Sequence, residues 1–483
     1  MLNTKMIYRI MGFLILIETA MLLSCIGVSL YYQEDDLNSF LLTTGITFIT
    51  GNLLLLMGRN AEKSLSKRDG YVIVSIVWVV FTIFGMLPFY LSGYIPDITN
   101  AFFETMSGFT TTGASILDNI ESLPHGLLFW RSMIQWIGGL GIVFFTIAVL
   151  PIFGIGSMQL FAAEATGPTH DKIHPRIGVT AKLLWSIYLV LTISETILLM
   201  FGGMSLFDAV CHSFTTTATG GFSTKQASIA YYNSAYIEYV ISIFMILSGL
   251  NFTLYFFMIK GKVRKFFSDA EMKWFLYSIG LCTLFITVKL IQNSPMDMEE
   301  AFRKALFQVA SLHTTTGFAT ADYMTWEPIL WSILAFTMVV GGCAGSTSGG
   351  LKDIRLVVLA KIIRNEFKHL IHPNAVLPIR VNKQVISPSV KNSVLAFTFL
   401  YILVLVVGQL IMMLLGVGFI ESFGTVVSSM GGVGPGLGTC GPAYSWNHLP
   451  DAAKWLLSFL MLAGRLEIFT ILLIFTPGFW KKN

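Results

Sequence analysis

The sequence predicts an all-α polytopic membrane protein: four pseudo-repeats of helix, pore loop and helix around a central pore, plus two extra N-terminal transmembrane helices. Three observations carry this prediction. Of the 483 residues, 54% are hydrophobic and 12% charged, with a mean hydropathy of +0.71, far from the balance of a soluble domain. About ten apolar runs are long enough to cross a bilayer. Four times, at roughly 100-residue intervals, a short apolar stretch ends in a Thr/Gly-rich turn, at 110–113, 215–221, 314–317 and 431–436.

The first two runs, 7–31 and 39–58, bracket no such turn, and 1–68 reads as a peripheral transmembrane hairpin. Leu22, Leu23, Ser24 and Cys25 resemble a lipoprotein cleavage box behind Lys5 and Arg9. The run is nonetheless long enough to span and a second follows directly, so an uncleaved helix is expected. The remaining runs, 71–93, 126–150, 180–203, 236–259, 272–292, 327–364, 393–418 and 452–480, form four pairs, each around one turn. Pore repeats follow at 69–179, 180–268, 269–391 and 392–483, the third carrying a Gly-rich loop and a basic cytoplasmic segment.

Before each turn stands a stretch too short to cross: NAFFETMSGF, SLFDAVCHSF, EEAFRKALFQVASLH and FIESFGTVVSSM. These read as half-helices that dip into the membrane and return. Hydrocarbon cannot satisfy bare N–H and C=O groups, so non-helical backbone at that depth must be buried in protein or line water. Basic residues cluster in alternate connections: Arg59, Lys63, Lys67, Arg68; Lys172, Arg176, Lys182; Lys260, Lys262, Arg264, Lys265, Lys273; and the segment 352–391. The opposite side holds Lys225, Arg303 and Lys304. That bias places both termini, with Lys5, Arg9, Lys481 and Lys482, in the cytoplasm, and all four loops enter from outside.

A cation entering a narrow passage sheds water, and a ring of neutral oxygens from backbone carbonyls and Thr hydroxyls replaces it without holding the ion too tightly. Glycine permits the backbone angles that turn consecutive carbonyls inward. The C-terminal end of a half-helix adds partial negative charge. Net charge of +4 gives no sign of nucleic-acid binding. The cysteines at 25, 211, 282, 343 and 440 are scattered singly and read as packing residues. An intramembrane enzyme is disfavoured, because the eight histidines stand apart with no H-E-x-x-H or G-x-S-x-G arrangement.

Thr110-Thr111-Thr112-Gly113, Thr219-Gly220-Gly221-Phe222, Thr314-Thr315-Thr316-Gly317-Phe318 and the run Gly432-Val433-Gly434-Pro435-Gly436-Leu437-Gly438 resemble the four filter segments of the Trk/Ktr/HKT potassium transporters. The two extra N-terminal spans are similar to those of the TrkH type. The resemblance implies potassium-selective uptake across a bacterial inner membrane, with Gly113, Gly221, Gly317 and Gly434 as filter glycines and potassium held by their carbonyls beside Thr111, Thr112, Thr219, Thr315, Thr316 and Val433. In the second turn the doubled glycine leaves Gly220 or Gly221 open. A single glycine per repeat implies looser selectivity than the stacked TVGYG filter. A Ser-for-Gly change is linked in the family with sodium; Gly113 therefore favours potassium. A less selective monovalent cation pathway, or a proton- or sodium-coupled symporter, stays open.

Gly341, Gly342, Cys343, Ala344, Gly345, Ser346, Thr347, Ser348, Gly349 and Gly350 make a poor helix, and each interior glycine costs about 1 kcal/mol against alanine. A break is expected there, and the resemblance makes it an intramembrane gate; close Gly-mediated helix packing is the other reading. Arg465, inside the last span, is expected to face the bundle interior. The resemblance puts it near the gate, and a structural ion pair with another helix is its alternative. Glu195 is either a relay or a structural buried acid, and Asp118, Glu121 and Glu104 are candidate acids of the outer mouth. The basic segment 352–391 suits anionic lipid or, by resemblance, docking on a TrkA-like cytosolic ring of nucleotide-binding subunits. No nucleotide motif, and hence no organic cofactor, is read in this chain. The resemblance also implies a homodimer.

Overall fold

The computed structural model of the chain describes residues 2–62, 65–139, 141, 177–382 and 384–481. Lys63, Lys172, Arg176 and Lys482 of the charge pattern lie outside the described residues, as does the far end of the expected span 126–150. The fold is helical throughout, with one two-stranded antiparallel ribbon, Arg380–Val381 against Gln384–Val385, among the described residues.

Helices Thr4–Tyr32 and Leu37–Met57 form the expected N-terminal hairpin. Only 22% of the apolar window of the second is buried in protein, so most of its surface is left to hydrocarbon. Long apolar helices Arg68–Leu91, Lys182–Phe201, Ala270–Asn293 and Pro388–Leu414 follow. The first of these starts from a reciprocal capping box between Ser66 and Asp69, two orphan N–H groups being satisfied at once.

After each of these long helices comes a short one: Ile98–Phe109, Leu206–Thr217, Met298–His313 and Phe419–Gly431. Their 12 to 16 residues at 1.5 Å each give about 18–24 Å, against an apolar layer of about 30 Å, so none can cross. Their starts are set by local chemistry. The Asp97 carboxylate accepts from Asn100 N at 2.8 Å, and the Ser205 hydroxyl accepts from Asp208 N. Glu299, Glu300 and Glu421 place negative charge in the first turns of the third and fourth. Ala101 through Phe109 of the first are all buried, as are Gly424 through Gly431 of the fourth, so these short helices form the centre of the bundle.

In the second and fourth pairs the second helix departs from expectation, and in the third it breaks where the glycines predict. The stretch 236–259 is two helices, Ala235–Gly249 and Phe252–Ile259, bent by 94°. The span expected at 327–364 breaks into Pro328–Val340 and Asp353–Ile371 around the glycine loop. The last span, expected as one run over 452–480, ends at Arg465 and resumes as Phe469–Ile474 and Pro477–Trp480, with Glu467 in the left-handed region. The broken backbone is not wasted, since the Gly249 carbonyl and the Phe252 N–H freed at the 94° bend both bond the glycine loop.

Candidate functional site

Each short helix ends in the same turn. A backbone N–H five residues on bonds back to the helix: Thr112 to Ser107 O, Gly220 to Thr215 O, Thr316 to Ser311 O and Val433 to Ser428 O, at 2.8–3.0 Å. The residue before each donor is left-handed, at Thr111, Thr219, Thr315 and Gly432, with φ of 52–67°. The residue after it is left-handed too and is always glycine, at Gly113, Gly221, Gly317 and Gly434, with φ of 76–105°. Three β-branched threonines in this region cost about 1–3 kcal/mol each, strain of a kind that gathers at functional sites.

The same pattern sets the doubled glycine in backbone register with the other turns. Gly221 has the conformation of Gly113 and Gly317, whereas Gly220 occupies the position of Thr112, Thr316 and Val433.

The four turns close a ring. A Cβ placed on Gly113 would lie 2.0 Å from the Gly220 carbonyl oxygen; on Gly221, 2.0 Å from that of Thr316; on Gly317, 1.9 Å from that of Val433. On Gly434 it would come within 2.9 Å of the Thr112 oxygen, returning to the first turn. Only glycine allows so close an approach of one turn to the next. The C-terminal ends of all four short helices adjoin this ring, and their partial negative charge favours a cation there.

Side chains that the sequence reading missed brace the ring. Gln135 donates to Gly220 O at 2.7 Å and accepts from Phe222 N at 3.0 Å. Arg131, one helical turn earlier, donates to Ser223 O at 2.9 Å and lies over the Phe222 ring. It also forms a buried ion pair with Glu104 at 2.7 Å, and Glu104 accepts from Ser115 Oγ and Ile116 N just past the first turn. Glu104 is therefore not an acid of the outer mouth, and is fully buried. His212 bonds Ser223 Oγ at 2.9 Å, and Tyr323 donates to Gly436 O at 2.7 Å. Arg131 and Gln135, four residues apart in an apolar run, were the available signal, because two polar side chains on one face of a span need partners. Asp118 borders a surface cavity of about 710 Å³ that Asp322 and Glu421 also line, and Glu121 is exposed.

The glycine loop leaves Val340 and returns at Asp353, its neck closed by Leu351 N to Val339 O, Lys352 N to Val340 O and Asp353 N to Gly342 O. It packs across the ends of three short helices. Thr347 Oγ1 donates to Thr217 O at 3.0 Å, Gly349 N donates to Thr315 Oγ1 at 2.7 Å, and a Cβ on Gly349 would lie 2.0 Å from Gly431 O. Cys343 N bonds Gly249 O, and Gly345 O accepts from Phe252 N. Gly341, Gly345 and Gly350 are left-handed, and Gly341 and Gly350 touch across the neck. Ser346 and Gly342 complete the loop, with Ser348 against Gly342.

Arg465 donates to Thr347 O at 2.9 Å, to Gly139 O at 2.6 Å and to Gly138 O, tying the loop to the helix His125–Gly139. Glu467 pairs with Arg355 at 2.5 Å. On the loop's other flank the Lys352 ammonium donates to Ser348 O. Glu195 is fully buried beside Thr216 of the second short helix. Among the described residues no group of three or more His, Cys, Asp or Glu side chains is placed to hold a metal ion.

A helical bundle with several membrane-length apolar helices and four short helices whose turns close into a ring belongs with membrane transport proteins. Residues 37–482 match the model of the TrkH family, described as cation transport protein. The chain is 40% identical over 489 residues to the Trk system potassium uptake protein TrkH of Escherichia coli K12, and 39% identical over 484 residues to that of Halomonas elongata, each match covering the whole of both chains. The crystal structure of the potassium transporter TrkH from Vibrio parahaemolyticus has the same fold, with a TM-score of 0.89 at 37% identity over 99% of this chain and 100% of that one. The chain is a member of the TrkH family, a family of transporters and not of enzymes.

Proposed function

We propose that this protein takes up potassium across the bacterial inner membrane, the ion passing through the ring of four turns. The observation that carries this reading is the closure of the ring through Gly113, Gly221, Gly317 and Gly434, each against the carbonyl of the next turn. The ion's partners are the carbonyls along residues 111–113, 219–221, 315–317 and 433–434, and the convergent helix ends supply field without a formal charge. The names of the relatives support potassium as the cargo.

The loop of Gly341, Gly342, Gly345, Ser346, Thr347, Ser348, Gly349 and Gly350 is the gate in this reading, and Arg465 holds it closed. Its contacts with Thr217, Thr315 and Gly431 support a role at the ring, and five glycines make it easy to rearrange. The charge bias supports cytoplasmic termini, and the basic stretch after the gate offers a docking face for anionic lipid and a nucleotide-binding regulatory ring; a homodimer completes the assembly. The test is potassium flux through protein reconstituted in liposomes, with and without residues 345–349. Removing them raises flux; unchanged flux in a correctly folded variant rejects the gate.

A further inference from the structure

Glu271 stands in the first turn of the helix Ala270–Asn293, where an acidic residue ordinarily answers the helix dipole. Here it is buried and engaged elsewhere. One of its oxygens, Oε1, accepts from Ala344 N at 2.6 Å and from Ile354 N at 3.1 Å. Ala344 lies on the outgoing arm of the glycine loop and Ile354 just beyond its return, so a single carboxylate oxygen bridges both arms at the neck. That one oxygen satisfies two buried backbone donors at once, and leaving either unpaired would cost its desolvation.

The same helix start is tied to the cytoplasmic ribbon. Asp269 caps the helix through Met272 N at 2.8 Å and accepts from Asn382 Nδ2 at 2.6 Å, while Asn382 Oδ1 accepts from Ala270 N at 2.9 Å. Asn382 occupies the turn of the ribbon with φ of 48°. Val381 of the ribbon, Ala344 of the loop and Ile354 share one apolar cluster, with Ala270 packed against it. An unbroken set of contacts thus runs from the ribbon, through Asn382 and Asp269, to Glu271 and both arms of the loop.

We propose that Glu271 is the positioning residue that clamps the neck of the gate loop, and that the Asn382 ribbon is the lever by which the cytoplasmic segment loosens that clamp. The proposal rests on reading 341–350 as a gate. Displacing the ribbon pulls on Asp269 and Ala270, withdraws the Glu271 carboxylate, and leaves the N–H groups of Ala344 and Ile354 free to follow a rearranged loop. A clamp sets how often the path is open without touching the ring, so opening it changes flux and leaves ion preference alone.

The experiment is rubidium flux into liposomes containing the full-length protein, with potassium-over-sodium preference measured in parallel, for wild type, Glu271→Ala, Glu271→Gln, Asn382→Ala and the loop-shortened protein. Glu271→Ala is expected to raise flux about tenfold, equivalent to about 1.4 kcal/mol of lost closure. Glu271→Gln keeps an acceptor oxygen and falls between; it also serves if the alanine variant does not fold. Asn382→Ala raises flux by a smaller factor, and ion preference is unchanged in all three. Wild-type flux in folded Glu271→Ala and Glu271→Gln, alongside raised flux in the loop-shortened protein, overturns the clamp and spares the gate. Altered ion preference in the Glu271 variants also overturns it, by making the residue a support of the ring. If shortening the loop raises nothing, the gate reading fails and the clamp with it.

Discussion

Gly220 and Gly221 are neighbours, yet alanine at the two positions has different consequences. Gly221 has φ of 76°, where a Cβ costs about 1–2 kcal/mol. That Cβ would also lie 2.0 Å from the Thr316 carbonyl oxygen, whereas ordinary contact begins at 3.4 Å. The oxygen must therefore retreat by about 1.4 Å, a backbone movement larger than the difference in radius between potassium and sodium ions. At Gly220 the backbone is not left-handed, and the added Cβ meets the Gln135 side chain at 2.5 Å, which can swing away at the loss of two hydrogen bonds worth about 0.5–1.5 kcal/mol each. Gly221→Ala displaces a carbonyl of the ring itself and is thus expected to cut potassium-over-sodium preference by about tenfold or more, one factor of ten per 1.4 kcal/mol, whereas Gly220→Ala loses brace hydrogen bonds and is expected to cost stability more than preference. The assay is paired rubidium and sodium uptake into liposomes, with size-exclusion profiles to confirm folding. Equal losses, or a larger loss at Gly220, would refute the ring as the seat of selectivity.

Other perturbations read other parts of the account. Gly113→Ser introduces the same overlap, now against Gly220 O, and should weaken discrimination against sodium in the same uptake assay; unaltered preference counts against the first turn. Arg465→Ala removes donors to Thr347, Gly138 and Gly139 and should increase leak through otherwise closed protein, while loss of folding with no leak would assign the arginine a purely structural role. Arg131→Ala strands the buried Glu104 carboxylate and should destabilise the protein by about 3–5 kcal/mol, seen as a lower midpoint in a thermal unfolding scan in detergent; an unshifted midpoint would show that the pair contributes little.

What the sequence disclosed follows from what each element demands. The short helices were visible because an apolar run closed by a Thr/Gly turn has few other uses at membrane depth, and because glycine is needed where an added Cβ would overlap the carbonyl of the next turn. The register of the second turn was hidden, since both residues are glycine and only the backbone angles tell them apart. The bend at Leu250 and Asn251 was hidden too. It contains no proline, and the groups it frees at Gly249 and Phe252 are taken up by a loop more than ninety residues away. Glu104 was misread because its partner Arg131 lies 27 residues on, and an acid in a short helix looks alike whether it faces water or an arginine. Glu271 gave no sign, as a first-turn glutamate ordinarily needs no further explanation.

The central claim is that four turns make one potassium-preferring path. Its most direct test is cation uptake by liposomes containing the purified protein with residues 345–349 removed, rubidium and potassium against sodium and lithium at a fixed membrane potential. The account predicts saturable rubidium and potassium uptake with sodium and lithium largely excluded. Equal passage of sodium, or no flux at all once the loop is shortened in folded protein, would contradict it.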